Sequence, residues 1–169
     1  MSFYTEVLQP DTLFTCDKRV ANIDLLEPVT RGRVQRIIDD AAAQGVILSV
    51  FETYRSQNRQ ELLFTQGATK LKTVGVHHYG LACDLVVLLG GEPSWKPSYA
   101  FLGPLARKYG LVWGGDWGTP GPHKFVDSDH VQRIAVEDQG RLFNGSWYPD
   151  ENYDPYEGAA PDLDGQISV

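Results

Sequence analysis

The sequence predicts an α+β domain with a small, mainly antiparallel sheet flanked by helices. Segments rich in β-formers come separated by segments of helical period, and the turns between them are too varied for a regular βαβ series. A chain of 169 residues is long enough to bury a true core in one domain. Apolar residues at 42%, with four Trp, eight Tyr and seven Phe, supply that core.

The elements follow in order. Val34, Ile37, Ile38, Ala41 and Ala42 recur at helical spacing, with Thr30 to cap the start and Gly45 to close the end. Val46 to Thr53 is a β-rich run and predicts a strand. Ser56 is placed to cap a second helix that runs through Leu63 and ends near Gly67. Leu81 to Leu89 is the strongest strand signal. Leu102 to Tyr109 reads as a third helix, with Pro104 in its first turn and Gly110 after it. Leu111 to Trp113 predicts a short strand, Gly114 to Pro122 a loop, and His130 to Ala135 the last core strand. Residues 1–140 are expected to form the single domain, and 141–169 an acidic tail. The aromatics of that tail, Trp147, Tyr148, Tyr153 and Tyr156, leave it either wrapped on the body or disordered.

The formal charge of −7, with no cluster of Lys and Arg, argues against a nucleic-acid surface. Asp150, Glu151, Asp154, Glu157, Asp162 and Asp164 contribute six of those charges, so the acidity belongs mainly to the tail. No segment is long and apolar enough to span a membrane, and no signal peptide opens the chain. Synthesis in the cytoplasm and a monomeric state are the expectations. Cys16 and Cys83 are the only cysteines and make no disulfide scaffold. Cys83, within an apolar run, reads as a buried thiol rather than a nucleophile.

The chemistry concentrates in two short segments, Val74 to Val87 and Phe125 to Gln132. Residues at even separations on a strand face one side, so Ala82 and Asp84 project together while Cys83 and Leu85 project the other way. An acid in a run as apolar as Leu-Ala-Cys-Asp-Leu-Val-Val needs compensation, from a divalent metal or from an Arg or backbone amides. A catalytic zinc site takes three protein ligands and leaves a position to water. Asp84 with two His fills that quota. His77 and His78 compete for one place and His130 and His123 for the other; Asp127 stands three residues before His130, whereas Pro120 stands three before His123. Asp127 is placed as the general base, with Asp129 as the alternative. Arg55, where the β-rich run gives way to the second helix, is a candidate for holding a substrate oxygen or carboxylate, or for a surface ion pair with Glu61. Arg59 and Gln60 lie one turn on and support the same wall.

These residues resemble a known family. His-x-x-Gly-x-Ala-x-Asp, here His77, Gly80, Ala82 and Asp84, and Asp-x-x-His at Asp127 and His130 look like the zinc peptidases that include D-alanyl-D-alanine carboxypeptidases and dipeptidases and L-alanyl-D-glutamate endopeptidases. Glu52 to Gln60 resembles the family's Tyr-Arg-Ser segment, and Trp113 to Trp117 resembles the segment before the last ligand in the endopeptidase branch, phage endolysins included. The resemblance runs in order from about Val46 to Val131. It implies the small α+β fold shared with the zinc domain of hedgehog proteins. It also implies Zn2+ on His77, Asp84 and His130, Asp127 as base, and Arg55 stabilising the transition state. Substrate contacts are implied from Tyr54, Ser56, His78, Asp116 and Trp117. The implied substrates are bacterial peptidoglycan stem peptides, cut as an endopeptidase, with a carboxypeptidase or a non-catalytic zinc-containing wall-binding module as alternatives. A phage or prophage lysis enzyme would act on the wall after release by other means. Two positions depart from the family: Gly75 stands where Ser is frequent, and Asp129 where Pro is common.

Overall fold

The computed structural model describes residues 1–118 and 126–157. Five strands form one antiparallel sheet: β1 (Leu48–Glu52), β2 (Ala82–Leu89), β3 (Glu92–Ser94), β4 (Val112–Trp113) and β5 (His130–Gln132). The order is β1-β2-β5-β4, with β3 paired to the far end of β2. Four α-helices among the described residues accompany it: α1 (Pro28–Ala43), α2 (Gln57–Thr65), α3 (Leu102–Lys108) and α4 (Gln139–Phe143). The α+β expectation is met.

The two faces of β2 divide the labour. Cys83, Leu85 and Val87 point into the main core, where they meet Val34, Ile37 and Ala41 of α1, Leu102, Leu105 and Ala106 of α3, and Val131 of β5. Ala82 and Asp84 point to the other face, which carries the functional site. Opposite Val50, β2 presents Leu85, but opposite Glu52 it presents Asp84, so Phe51 is an extra residue in β1. This bulge brings Glu52 rather than Phe51 alongside Asp84, and the two carboxylates share one face.

The helix ends explain the local boundaries. Helix α1 starts two residues before Thr30, because Pro28 is tolerated at a first position whose N–H needs no partner. Glu27 then caps it, its carboxylate accepting from the Thr30 N–H and hydroxyl, both at 2.9 Å. Gly45 closes the helix at φ 83°, as expected. Ser56 caps α2 by accepting from the Arg59 N–H at 2.9 Å. The Glu-Pro-Ser sequence of β3 carries no strand signal; the strand forms because a two-residue turn at Gly90 and Gly91, both at positive φ, folds it back on β2.

As far as Glu157 the tail wraps the body. Trp147, Tyr148 and Tyr153 pack against a second core of Val76, Leu81, Ala82, Ile134 and Leu142. The Tyr148 hydroxyl donates to the Tyr79 carbonyl at 2.8 Å, and the Tyr156 hydroxyl to that of Leu111 at 2.7 Å. Arg133, fully buried, pairs with Glu27 at 3.0 Å and donates to the Asp150 carbonyl. Asp162 and Asp164 lie outside the described residues. No helix among the described residues is long and apolar enough to cross a membrane.

Candidate metal centre and active-site cleft

His77 lies in a single 3-10 turn, Val76–Tyr79, that ends on Gly80 at φ 71°. A Cβ on Gly80 would stand 2.9 Å from the Leu25 carbonyl oxygen and 3.1 Å from Leu8, so only glycine fits this return toward the sheet. His130 begins β5 directly opposite Asp84 of β2. One donor atom from each of His77, Asp84 and His130 then lies within 4.8 Å of the others, and all three residues are buried.

The second nitrogen of each imidazole decides what the first can do. His77 Nδ1 donates to the Thr53 carbonyl at 2.7 Å, which leaves Nε2 with a lone pair, 3.1 Å from Asp84 Oδ1. His130 Nε2 donates to Gln132 Oε1 at 3.0 Å, and the Gln132 amide is fixed in that orientation by donating to the Ile134 carbonyl at 2.7 Å. His130 Nδ1 is therefore the free donor, 3.0 Å from the same Asp84 oxygen. Three electron-pair donors converge, a set that could hold a cation at its centre. Protons respond to the same set. Burial works against charge on His130, yet the Asp84 hydrogen bond and charge outweigh it and lift the imidazole to about 9. Burial likewise opposes charge on Asp84, but the two imidazoles hold its carboxyl well below the usual range. Neutral imidazoles oriented by oxygen acceptors are what a divalent metal site uses, so the residues fit a metal.

A second layer of charge stands beside the donors. The buried Glu52 carboxylate takes Arg55 Nη2 on one oxygen at 2.5 Å and Arg59 Nε on the other at 3.2 Å. Arg55 Nη2 also reaches Asp84 Oδ2 at 3.3 Å, and its Nη1 reaches Gln60 Oε1 at 3.4 Å. Thus an Arg does accompany the buried Asp84, but on the oxygen that the imidazoles do not use. Glu61, the alternative ion-pair partner for Arg55, instead accepts from Gln57 at 2.8 Å, and Arg55 pairs with Glu52.

Asp127 is set by the backbone of Gly114, whose carbonyl accepts the Asp127 N–H at 3.0 Å, while the Asp127 carbonyl lies 3.3 Å from the His130 N–H. Trp113 Nε1 donates to the Ser128 carbonyl at 2.7 Å and ties the two segments together. Asp129 continues the β2 pairing by accepting the Leu85 N–H at 2.8 Å, and its carboxylate accepts from Trp95 Nε1 at 2.9 Å. Burial, and then the Asp84 charge, push the Asp129 carboxyl up from its ordinary value. A cleft of about 650 Å³ opens over this group. Arg55, Arg59, Gln60 and Lys70 contribute to its lining, as do Trp95, Trp117, Asp127 and Asp129.

No protein-family model matches the chain. It is 26% identical over 125 residues to the L-alanyl-D-glutamate peptidase of Listeria phage A118, a match covering 72% of this chain and 42% of that protein. It is 26% identical over 128 residues to the peptidoglycan L-alanyl-D-glutamate endopeptidase CwlK of Bacillus subtilis (strain 168), covering 64% of this chain and 74% of CwlK. The chain thus spans less than half the length of the phage relative. Its fold superposes on the Serratia marcescens L-Ala D-Glu endopeptidase ChiX with a TM-score of 0.51 at 25% identity, over 69% of this chain and 90% of ChiX. The chain is thus similar, in sequence and in fold, to L-alanyl-D-glutamate endopeptidases.

Of the residues assigned to the family's site, His77, Asp84, His130, Asp127, Arg55 and Trp117 come together at the cleft. The Trp117 ring lies 5.1 Å from that of His130. Four others do not line it. Tyr54 and Ser56 turn toward the N-terminal segment, where their hydroxyls donate to the carbonyls of Phe14 and Cys16. His78 follows His77 in a 3-10 turn, and adjacent residues there point about 120° apart. Its ring accordingly packs away from the cleft, 3.0 Å from the Tyr4 hydroxyl and 3.1 Å from the Arg55 carbonyl, and burial lowers its pKa. Asp116 pairs with Arg107 at 2.8 Å. His123 lies outside the described residues. Cys83 is fully buried in the main core, and that burial pushes its thiol pKa up, against a nucleophilic role.

Sequence alone assigns no role in this cleft to Glu52, Gln132 or Gly114. Glu52 carried a usable signal, because an acid closing an apolar run poses the same burial problem as Asp84. Gln132 lies two residues beyond His130 on one strand and so shares its face. Gly114 lies within the Trp113 to Trp117 segment, but nothing in that segment marks its contact with Asp127.

Proposed function

We propose that this chain is a zinc-dependent peptidase that hydrolyses L-alanyl-D-glutamate bonds in peptidoglycan stem peptides. The observation that carries this reading is the pair of imidazoles whose second nitrogens are both committed to oxygen acceptors, so that both lone pairs meet at Asp84 beside Asp127. His77, Asp84 and His130 would hold the metal, and a set of two imidazoles and one carboxylate suits zinc with a position left open. Zinc held there supplies Lewis acidity toward water and toward a carbonyl oxygen.

The chain's own residues do the rest. Asp127, fixed by Gly114, takes a proton from the attacking water and returns it to the leaving amine of D-glutamate. The Arg55 guanidinium, held by Glu52, faces the negative charge that grows on the scissile carbonyl oxygen. Thr53 and Gln132 keep the imidazoles in the tautomers that bind a metal. Trp117 walls one side of the cleft and keeps bulk water off His130. The two curated relatives and ChiX, all named for L-alanyl-D-glutamate hydrolysis, support this choice of bond over removal of a terminal D-alanine.

Asp127→Asn tests the assignment. It is expected to retain one equivalent of zinc while turnover of soluble muropeptides falls by about 10²-fold or more. Turnover within a factor of three of the parent would contradict the role of Asp127.

A further inference from the structure

The proposed bond imposes a demand that Asp127, Arg55 and the metal donors do not meet. In stem peptides D-glutamate is joined onward through its side-chain carboxyl, so its α-carboxyl is free unless amidated. That carboxylate sits on the carbon bonded to the scissile nitrogen, and it must enter the cleft together with the reacting bond. Asp127 and Asp129 lie in the same lining, so an uncompensated anion would be repelled.

We propose that Arg59 seats this α-carboxylate and makes the enzyme prefer D-glutamate over its α-amide. The inference rests on the endopeptidase reading above. Arg59 stands in the first turn of α2 and lines the cleft beside Arg55. Its Nε is held by Glu52 at 3.2 Å, which fixes the plane of the guanidinium, and its side chain keeps 16% of its exposure. Among the described residues its two terminal nitrogens make no hydrogen bond, so the fork that matches a carboxylate is available. Arg55 is differently placed, with Nη2 already shared between Glu52 and Asp84 and Nη1 directed to Gln60. Charge points the same way. Arg55 meets both Glu52 and Asp84, whereas the only carboxylate paired with Arg59 among the described residues is Glu52, which it shares with Arg55. A neutral amide in place of the carboxylate forfeits the charge-assisted pair and presents an N–H2 group to a donor-only partner.

The test uses a pair of soluble muropeptides that differ only in D-glutamate or D-isoglutamine at the second position, with cleavage followed by mass spectrometry. The zinc-loaded parent is expected to favour the free acid by about tenfold or more in kcat/KM. R59Q is expected to lower kcat/KM for the acid about tenfold, chiefly through KM, bringing it level with the amide, while R59K recovers part of the preference. K70Q is expected to keep the preference. Zinc stoichiometry and Tm of each variant, matched to the parent, show that the effect is not unfolding. Equal cleavage of both substrates by the parent, or a preference that survives R59Q, would overturn the inference while leaving the endopeptidase reading intact. Loss of the preference in K70Q would overturn it in favour of Lys70. Cleavage of neither substrate between L-alanine and D-glutamate would overturn the endopeptidase reading and this inference with it.

Discussion

Gly114→Ala perturbs the position of the proposed base without touching a metal ligand. An added Cβ would stand 2.3 Å from the Asp127 carbonyl oxygen, 3.0 Å from its Cβ and 3.2 Å from its carbonyl carbon. Gly114 is not at positive φ, so the backbone accepts alanine locally and the whole effect is steric. Carbon and oxygen settle no closer than about 3.3 Å, so the segments must part by about 1 Å. The Gly114–Asp127 hydrogen bond at 3.0 Å resists that movement, and Asp127 has to shift or turn. A displacement of about 1 Å at a reacting group costs about 10²-fold in rate, or about 2.7 kcal/mol in the barrier. The assay is steady-state release of new amino groups from soluble muropeptides, with bound zinc measured on the same samples. Gly32→Ala in α1, whose added Cβ meets nothing within 4 Å, is the control and should leave turnover unchanged. The expected result is a fall in kcat of about 10²-fold with one zinc retained. Wild-type turnover would refute the reasoning, as would a fall that merely tracks lost zinc.

Three further outcomes are expected. Gln132→Ala removes the acceptor that holds His130 in its metal-binding tautomer and should weaken zinc affinity by about 10- to 100-fold in competition with a chromophoric chelator. Glu52→Gln leaves Arg55 and Arg59 without their shared buried carboxylate and should lower stability by about 3 kcal/mol in urea unfolding, the loss being smaller than for a fully dry pair because both arginines keep some exposure. Tyr156→Phe deletes the hydrogen bond from the tail to the Leu111 carbonyl and should cost about 1 kcal/mol by the same measurement, a value near zero arguing that the tail contributes nothing to folding.

The parts of the site that could be read from sequence are those where one residue contradicts its neighbours. Asp84 stands out because a carboxylate inside a strand of Leu, Ala, Cys and Val has no place without a positive partner. The structure supplies two imidazoles and an Arg. Its facing relation to His130 follows from strand period and antiparallel pairing. What could not be read depends on geometry with no period. The bulge at Phe51, which sets Glu52 against Asp84, leaves no mark in the pattern of apolar residues. His78 is chemically indistinguishable from His77 in the sequence, and only the 120° step of a 3-10 turn sends it toward Tyr4 and Tyr54 instead. Ser56 and Tyr54 belong to a segment that resembles a catalytic motif, yet they serve as a helix cap and as an anchor for the N-terminal segment. The tail aromatics were equally compatible with order and disorder, since nothing local reveals that Tyr148 and Tyr156 find buried carbonyl partners far back in the chain.

The most direct test of the central claim is mass spectrometry of purified peptidoglycan after digestion by the zinc-loaded protein, in parallel with a sample treated with a strong chelator. The account expects new L-alanine carboxyl ends and new D-glutamate amino ends in the first sample, with neither in the second. Released D-alanine with no cut after L-alanine would contradict the assigned bond. No new termini from intact wall or soluble muropeptides, with zinc bound at one equivalent, would contradict the peptidase itself.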